Sequence, residues 1–136
     1  MSEGCYYLDL ADYLLIAEAV LGIDVVDLLP AIQIGLAQSA LAAPAAEFDG
    51  VELYPEFATK VAVLCSHLIR NHPLPDGNKR VGFLCAVEFA ERNGYGWEPP
   101  LREAVLVIEG VAAGTVTGSQ LAEWIRDRLS QRSGES

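Results

Sequence analysis

No lysine or arginine occurs before Lys60; all nine basic side chains of this 136-residue chain lie at or after that position. A general nucleic-acid binder needs a basic stripe, and this distribution argues against one. Cysteine is also scarce. Cys5, Cys65 and Cys85 are odd in number, far apart and free of any C-x-x-C pair, which excludes a disulfide scaffold. They read as reduced thiols, with Cys65 and Cys85 as small core residues inside apolar runs. The opening Met1-Ser2-Glu3-Gly4 has neither the basic nor the apolar region of a secretory leader, so a cytoplasmic protein is expected. Internal repeats and long low-complexity linkers are absent.

What is present describes a globular chain. Hydrophobic residues make up 51% and charged residues 21%, too apolar for a disordered segment. The length suits one domain, expected over residues 1–130, with a short loose tail at Gln131–Ser136. Leu28 to Ala46 carries no charge and approaches the length of a membrane span. Its prolines Pro30 and Pro44, its polar Gln33, Gln38 and Ser39, and the absence of basic anchors favour a buried helix; no membrane partner is expected. The net charge of −10 resides in the part of the chain before Lys60, which holds ten acids, while the remainder balances nine acids against nine bases. Against that background Lys60, Arg70, Lys79 and Arg80 form a local basic excess with only Asp76 to oppose them.

The hydrophobic periodicity predicts an all-α bundle of about six helices. The first runs from Asp9 to Leu21, capped by Asp9 and stopped by Gly22. A second is expected over Leu28–Ala43, ending before Pro44. Ala45–Leu53 contains Asp49-Gly50, a turn signal that suits a short hairpin or an irregular flap. A third helix starts near Pro55 and reaches Asn71, with Phe57, Val61, Leu64 and Leu68 on one face. After Pro73 and Pro75 a fourth opens at Gly77 or Asn78 and ends at Asn93-Gly94. It is nearly free of charge from Val81 to Ala90 and is expected to be the central element. A fifth covers Leu101–Ala113. The last opens at Thr117, which has capping-box spacing to Gln120, and runs to Leu129.

The segment His72-Pro73-Leu74-Pro75-Asp76-Gly77-Asn78-Lys79-Arg80 carries the chemistry. A loop with two prolines and a glycine delivers the chain into a helix N-terminus, whose free N–H groups and dipole attract anions. Gly77 permits close approach to the backbone. Lys79 and Arg80 sit at the wrong end of the helix dipole, at about 0.3–1 kcal/mol each, a cost that a bound polyanion reverses. Asp76 is placed to hold a divalent cation between itself and phosphate oxygens. His72, a side chain type that exchanges protons near neutrality, is a candidate general base. Taken singly, each residue also has a plainer reading: a packed loop histidine, an N-cap aspartate, two solvated cations. Taken together in one short segment they are the parts of phosphoryl or nucleotidyl transfer.

His72–Arg80 resembles the signature of the Fic/Doc superfamily, H-x-F-x-[D/E]-G-N-G-R in the Fic branch and H-x-F-x-[D/N]-x-N-K-R in the Doc, or death-on-curing, branch. Eight of the nine positions fit one branch or the other. Phe89-Ala90-Glu91-Arg92-Asn93-Gly94 and Leu121-Ala122-Glu123-Trp124 add weaker support. The resemblance implies a toxin of a toxin–antitoxin pair that uses ATP and Mg²⁺ to phosphorylate elongation factor Tu. His72 would be the base that activates the target hydroxyl and Asp76 the Mg²⁺ ligand. Gly77, Asn78, Lys79 and Arg80 would bind the phosphates. Lys79, where the Fic branch has glycine, implies transfer of the γ-phosphoryl group. Pro73 and Gly77 are Fic-like and keep transfer of AMP as the alternative; a catalytically silent binding module is the third reading. Leu74 stands where the motif has Phe. No S/T-x-x-x-E-[G/N] inhibitory segment is found, so inhibition is expected from a separate antitoxin, docking a helix in a groove near the flap and the His72 loop.

Other chemistries find little support. His67 and His72 are spaced about 140° apart on a helix, unsuited to a shared zinc ion. There is no H-E-x-x-H and no G-x-x-x-x-G-K-[ST]. Tyr95 and Trp97 suit either a substrate groove or a packed loop.

Overall fold

The computed structural model describes residues 4–131, and within them the chain is a helical bundle with two small strand pairs. The helices are α1 (Leu10–Leu21), α2 (Val25–Leu28), α3 (Ile34–Ala42), α4 (Phe57–Asn71), α5 (Asn78–Arg92), α6 (Leu101–Ala113) and α7 (Gly118–Arg128). The strands are β1 (Glu47–Phe48), β2 (Val51–Glu52), β3 (Tyr95–Gly96) and β4 (Ser130–Gln131). Most ends fall where local chemistry puts them. Asp9 caps α1 in a reciprocal box with Asp12, and Gly22 closes it in the left-handed conformation. Thr117 and Gln120 form the same kind of box at α7.

The expected single helix over 28–43 is not formed. α2 ends in a 3-10 turn at Leu29–Ala31 and α3 starts afresh at Ile34; the segments on either side of the break lie at 95°. Pro30 supplies no N–H to continue the ladder and restrains Leu29 before it. Ile32 becomes extended, which frees the Gln33 N–H to donate to the Pro73 carbonyl at 2.9 Å. The Asn71 side-chain amide donates to the Leu36 carbonyl at 3.1 Å. The break thus ties the start of α3 to the loop bearing His72. Among the described residues no single helix is long and apolar enough to cross a membrane.

The centre of the bundle is α4, not α5 as its composition suggested. α4 packs against α3, α5, α6 and α7. Ala58, Ala62, Cys65 and Ser66 are buried on it, small enough to let neighbours approach from several sides. α5 buries one face, through Val81, Cys85 and Phe89, and leaves Leu84 exposed. Cys65 and Cys85 are fully buried, and burial pushes the Cys65 thiol up to about 12, so neither is poised for reaction.

The flap is a hairpin. Phe48 pairs with Val51 and Glu47 with Glu52, across Asp49 and Gly50 at φ 55° and 79°, the two positive angles of a type I′ turn. The second strand pair joins Tyr95 to Gln131 and Gly96 to Ser130, a long-range link that no local pattern announces. Gln131, placed in the loose tail by sequence, is therefore a strand residue; positions 132–136 lie outside the described residues.

Lys60 is the unexpected core residue. It is 2% exposed and donates to Glu52 Oε1 at 2.7 Å and towards the Pro44 carbonyl at 3.4 Å. Burial pulls its pKa down, but the hydrogen bond with Glu52 and the nearby Tyr7 side chain together outweigh that and hold it above the ordinary lysine value. The folded state therefore binds this proton more tightly than the unfolded chain, and the pair's stabilisation is lost as pH rises through the raised value. We expect Glu52→Ala, which leaves the ammonium buried without its counter-ion, to destabilise the fold by about 3 kcal/mol. Denaturant unfolding at neutral pH measures this, and a change under about 0.5 kcal/mol, the size of an ordinary surface substitution, would contradict the clamp.

Candidate active site

The loop from His72 to Gly77 is held by three devices. α4 ends on His72 at φ 56°, ψ 53°, a left-handed turn without the glycine usual there. Non-glycine residues in that region cost about 1–3 kcal/mol and gather at functional sites. Leu74, in the motif's aromatic position, is 1% exposed, so leucine does serve as the core anchor. Asn78 then staples the loop: its carboxamide oxygen accepts from the Leu74 N–H at 3.0 Å and its amide donates to the Leu74 carbonyl at 2.8 Å. The side chain expected to bind phosphate is thereby engaged within the loop, and what Asn78 offers outward is its backbone N–H.

Gly77, not Asp76, is the N-cap of α5. Its φ is +86°, and an added Cβ would meet Leu21 Cδ2 at 2.5 Å. The positive φ is what demands glycine here, while the contact shows Gly77 packed against the Leu21 side chain at the end of α1. The first intrahelical bond of α5 runs from the Val81 N–H to the Gly77 carbonyl. The N–H groups of Asn78, Lys79 and Arg80 therefore have no intrahelical partner.

His72, Asp76, Gly77, Asn78, Lys79 and Arg80 all line one cavity of about 680 Å³, so every residue singled out from the sequence reaches the same space. His72, Asp76, Lys79 and Arg80 are exposed within it, whereas Asn78 is buried. Lys79 pairs with Glu109 of α6 at 3.1 Å, with both side chains about half exposed. Such a surface pair contributes about 0–1 kcal/mol and yields readily to phosphate. Arg80 Nη1 lies 3.5 Å from the Val20 carbonyl at the end of α1. Among the described residues Asp76 is the one carboxylate lining this cavity, and no group of three or more metal-ligating side chains occurs there. One carboxylate beside two cations fits a Mg²⁺ that shares oxygens with a phosphate ligand, not a caged structural metal.

Two further features adjoin this cavity. An apolar groove of about 340 Å³ lies between α5 and α6, lined by Phe83, Leu84, Leu101, Val105 and Ile108 and bounded by Lys79 and Arg80. Arg70, counted from sequence only as part of the basic excess, lines the cavity on its other side; its position just before His72 was the available signal. Glu109 carried no signal, being far along the chain from its partner Lys79. Trp97 and Tyr95 prove to be packing residues. Trp97 lies against Phe83 and Trp124, and Tyr95 stacks on Phe57 at 4.5 Å. His67 donates from Nδ1 to the Val63 carbonyl at 2.8 Å and does not line the cavity at the His72 loop.

Asn78→Ala removes the partners of a buried N–H and a buried C=O together. A loss of about 2–6 kcal/mol is expected, at about 1–3 for each of the two groups left unsatisfied. Asn78→Asp, which keeps the acceptor and loses the donor, should fall between. Denaturant unfolding gives the magnitudes, and faster hydrogen exchange at the Leu74 amide locates the defect. An Asn78→Ala protein as stable as the parent would show that the staple holds nothing.

Residues 7–90 match the sequence model of the Fic/DOC family. A protein of Mycolicibacterium smegmatis named Toxin Doc is 45% identical over 60 residues, 44% of this chain and 46% of that one, so the alignment spans about half of the relative's length. No solved structure matches. The family match covers α1 through nearly all of α5, the elements that build and brace the His72 loop, and by it the chain belongs to the Fic/DOC family.

Proposed function

We propose that the protein is a Doc-type toxin of a toxin–antitoxin pair that transfers the γ-phosphoryl group of ATP to a Ser or Thr hydroxyl of a cytoplasmic protein target, elongation factor Tu being the first candidate. The observation that carries this is the convergence of His72, Asp76, Lys79 and Arg80 on one cavity at the open N-terminus of α5. The free N–H groups of the first turn and the two cations suit the triphosphate. The apolar groove beyond Lys79 and Arg80 suits the nucleoside end.

In this reading the His72 imidazole takes the proton of the target hydroxyl as its oxygen attacks the γ-phosphorus. The bond to the bridging oxygen breaks and ADP leaves. Lys79 and Arg80 stabilise the charge on the transferring group. Asp76 would hold Mg²⁺, which when bound neutralises phosphate charge. A protein partner of basic character is expected as antitoxin, matching the acidic first half of the chain; the exposed Phe48, Val51 and Leu53 of the flap suit the apolar face of its helix.

Label from the γ-position of ATP should therefore appear on the target, with ADP as co-product. Deposition of α-label with release of pyrophosphate would replace this reading by AMP transfer, the outcome that the Fic-like Gly77 keeps open. His72→Gly separates function from fold. Transfer should fall by a factor of about 10²–10⁴, while stability rises by about 1 kcal/mol because glycine accepts the left-handed conformation. Transfer that survives this substitution would remove His72 as base. Asp76→Ala should abolish both activity and its sensitivity to chelator.

A further inference from the structure

We propose that the cleft between α4 and α7 receives an extended segment of the protein target and leads it past Arg70 to His72. This inference rests on the transfer reading above. The catalytic cavity has two neighbours of opposite character. The apolar groove shares Lys79 and Arg80 with it, and so lies on the side of the phosphate-binding cations. The second neighbour, of about 370 Å³, shares only Arg70 with the catalytic cavity. It runs from Tyr54, just after the flap, along Thr59, Ser66 and His67 of α4, and faces Ser119 of α7. In phosphoryl transfer the attacking and leaving oxygens lie roughly in line on opposite sides of phosphorus. The nucleotide and the hydroxyl donor must therefore arrive from different directions. The groove beside Lys79 suits an apolar base; the cleft beside Arg70, lined with hydroxyls and a histidine, suits a polypeptide backbone.

Dimensions and charge agree with this occupant. From Thr59 to Arg70 α4 advances about 16 Å, which an extended chain covers in about five residues. The His67 bond from Nδ1 to the Val63 carbonyl leaves Nε2 as the ring atom available to a ligand backbone. Arg70 donates from Nε towards the Val111 carbonyl and from Nη2 to the Val116 carbonyl, so about three of its five N–H donors remain. None of the ion pairs among the described residues includes Arg70, whereas Arg126 farther along the cleft is neutralised by Glu56. The charge left for a ligand is thus one cation at the catalytic end. It favours a target segment with an acidic side chain close to the modified hydroxyl.

Two measurements test the assignment. In the first, the isotopically labelled protein is titrated with a capped hexapeptide holding one Thr and two Glu, and amide shifts are followed by NMR. Saturable shifts are expected along Thr59–Arg70 and at Gly118–Ser119. They should weaken at least tenfold in Ser119→Trp, where an exposed residue remote from the chemistry fills the cleft. Arg70→Gln should weaken the Glu peptide at least fivefold and leave its Gln counterpart unchanged. Absent shifts, or shifts confined to the α5–α6 groove, would overturn the proposal. In the second, Ser119→Trp should raise the KM for protein target at least tenfold and leave ATP binding by calorimetry within twofold. An unchanged target KM also overturns it. Failure of the transfer reading looks different: the wild type itself then labels no target, while the peptide titration still decides the cleft.

Discussion

The loop bearing His72 depends on how closely α4 and α5 approach. At Gly82 an added Cβ would lie 2.9 Å from Ile69 Cγ1 and 3.5 Å from the Cys65 carbonyl oxygen. A side chain there would have to displace Ile69, so glycine suits the close approach of the two helices. The consequence is felt at the near ends of both helices, where α4 stops on His72 and α5 begins on Asn78. Because the two ends are held close, the short stretch from His72 to Gly77 must turn back sharply. Along that turn His72 adopts the left-handed conformation, Leu74 is buried, and Asn78 reaches the Leu74 backbone. A bulkier residue at position 82 would act on the site through its scaffold, with no ligand contact involved.

A second layer holds the loop from outside. The Gln33 N–H and the Asn71 amide fasten it to α3, and Leu21 closes over Gly77 from α1. The flap is held separately, by the Lys60–Glu52 pair. A charge pair this buried is weak evidence for net stability, since apolar replacements of similar volume often do as well. What it supplies is position: Glu52 on the hairpin can sit beside Lys60 in one register only.

The parts of this architecture that local chemistry determines were legible. Asp9, Gly22, Gly114 and the Thr117–Gln120 box mark helix ends through bonds made between near neighbours in sequence, and Asp49-Gly50 marks its turn in the same way. The candidate site could be proposed for a related reason, since its residues lie in the unbroken segment His72–Arg80 and the fold has only to bend that segment around one cavity. What stayed hidden depends on distant partners. Pro30 breaks a helix whose composition is otherwise favourable, and the freed Gln33 N–H is used far along the chain, on Pro73. β3 and β4 likewise pair across two intervening helices. A lysine at position 60 reads as solvated until a hairpin folds over it. Asn78 is a different case: its residue type suits phosphate binding and loop stapling equally, and the stapling shows only in the carboxamide's bonds to Leu74.

The same distance dependence accounts for the cations of the site. Lys79 and Arg80 occupy the first turn of α5, where the helix dipole opposes positive charge, and the chain places compensation near each from elsewhere. Glu109 of α6 pairs with Lys79, and the Val20 carbonyl at the C-terminal end of α1 lies beside Arg80, an end whose own last turn has no basic residue. Both contacts are solvent-exposed and weak, so each cation is kept near the cavity without being neutralised there. A phosphate entering above the α5 amides meets two cations whose present partners cost little to give up, and it meets donors that the helix itself cannot use. The acidic excess of the chain lies outside this segment, in the sequence before Lys60. The attraction for anions is therefore local: it comes from where α5 begins and from what α1 and α6 leave exposed, not from the charge of the protein as a whole.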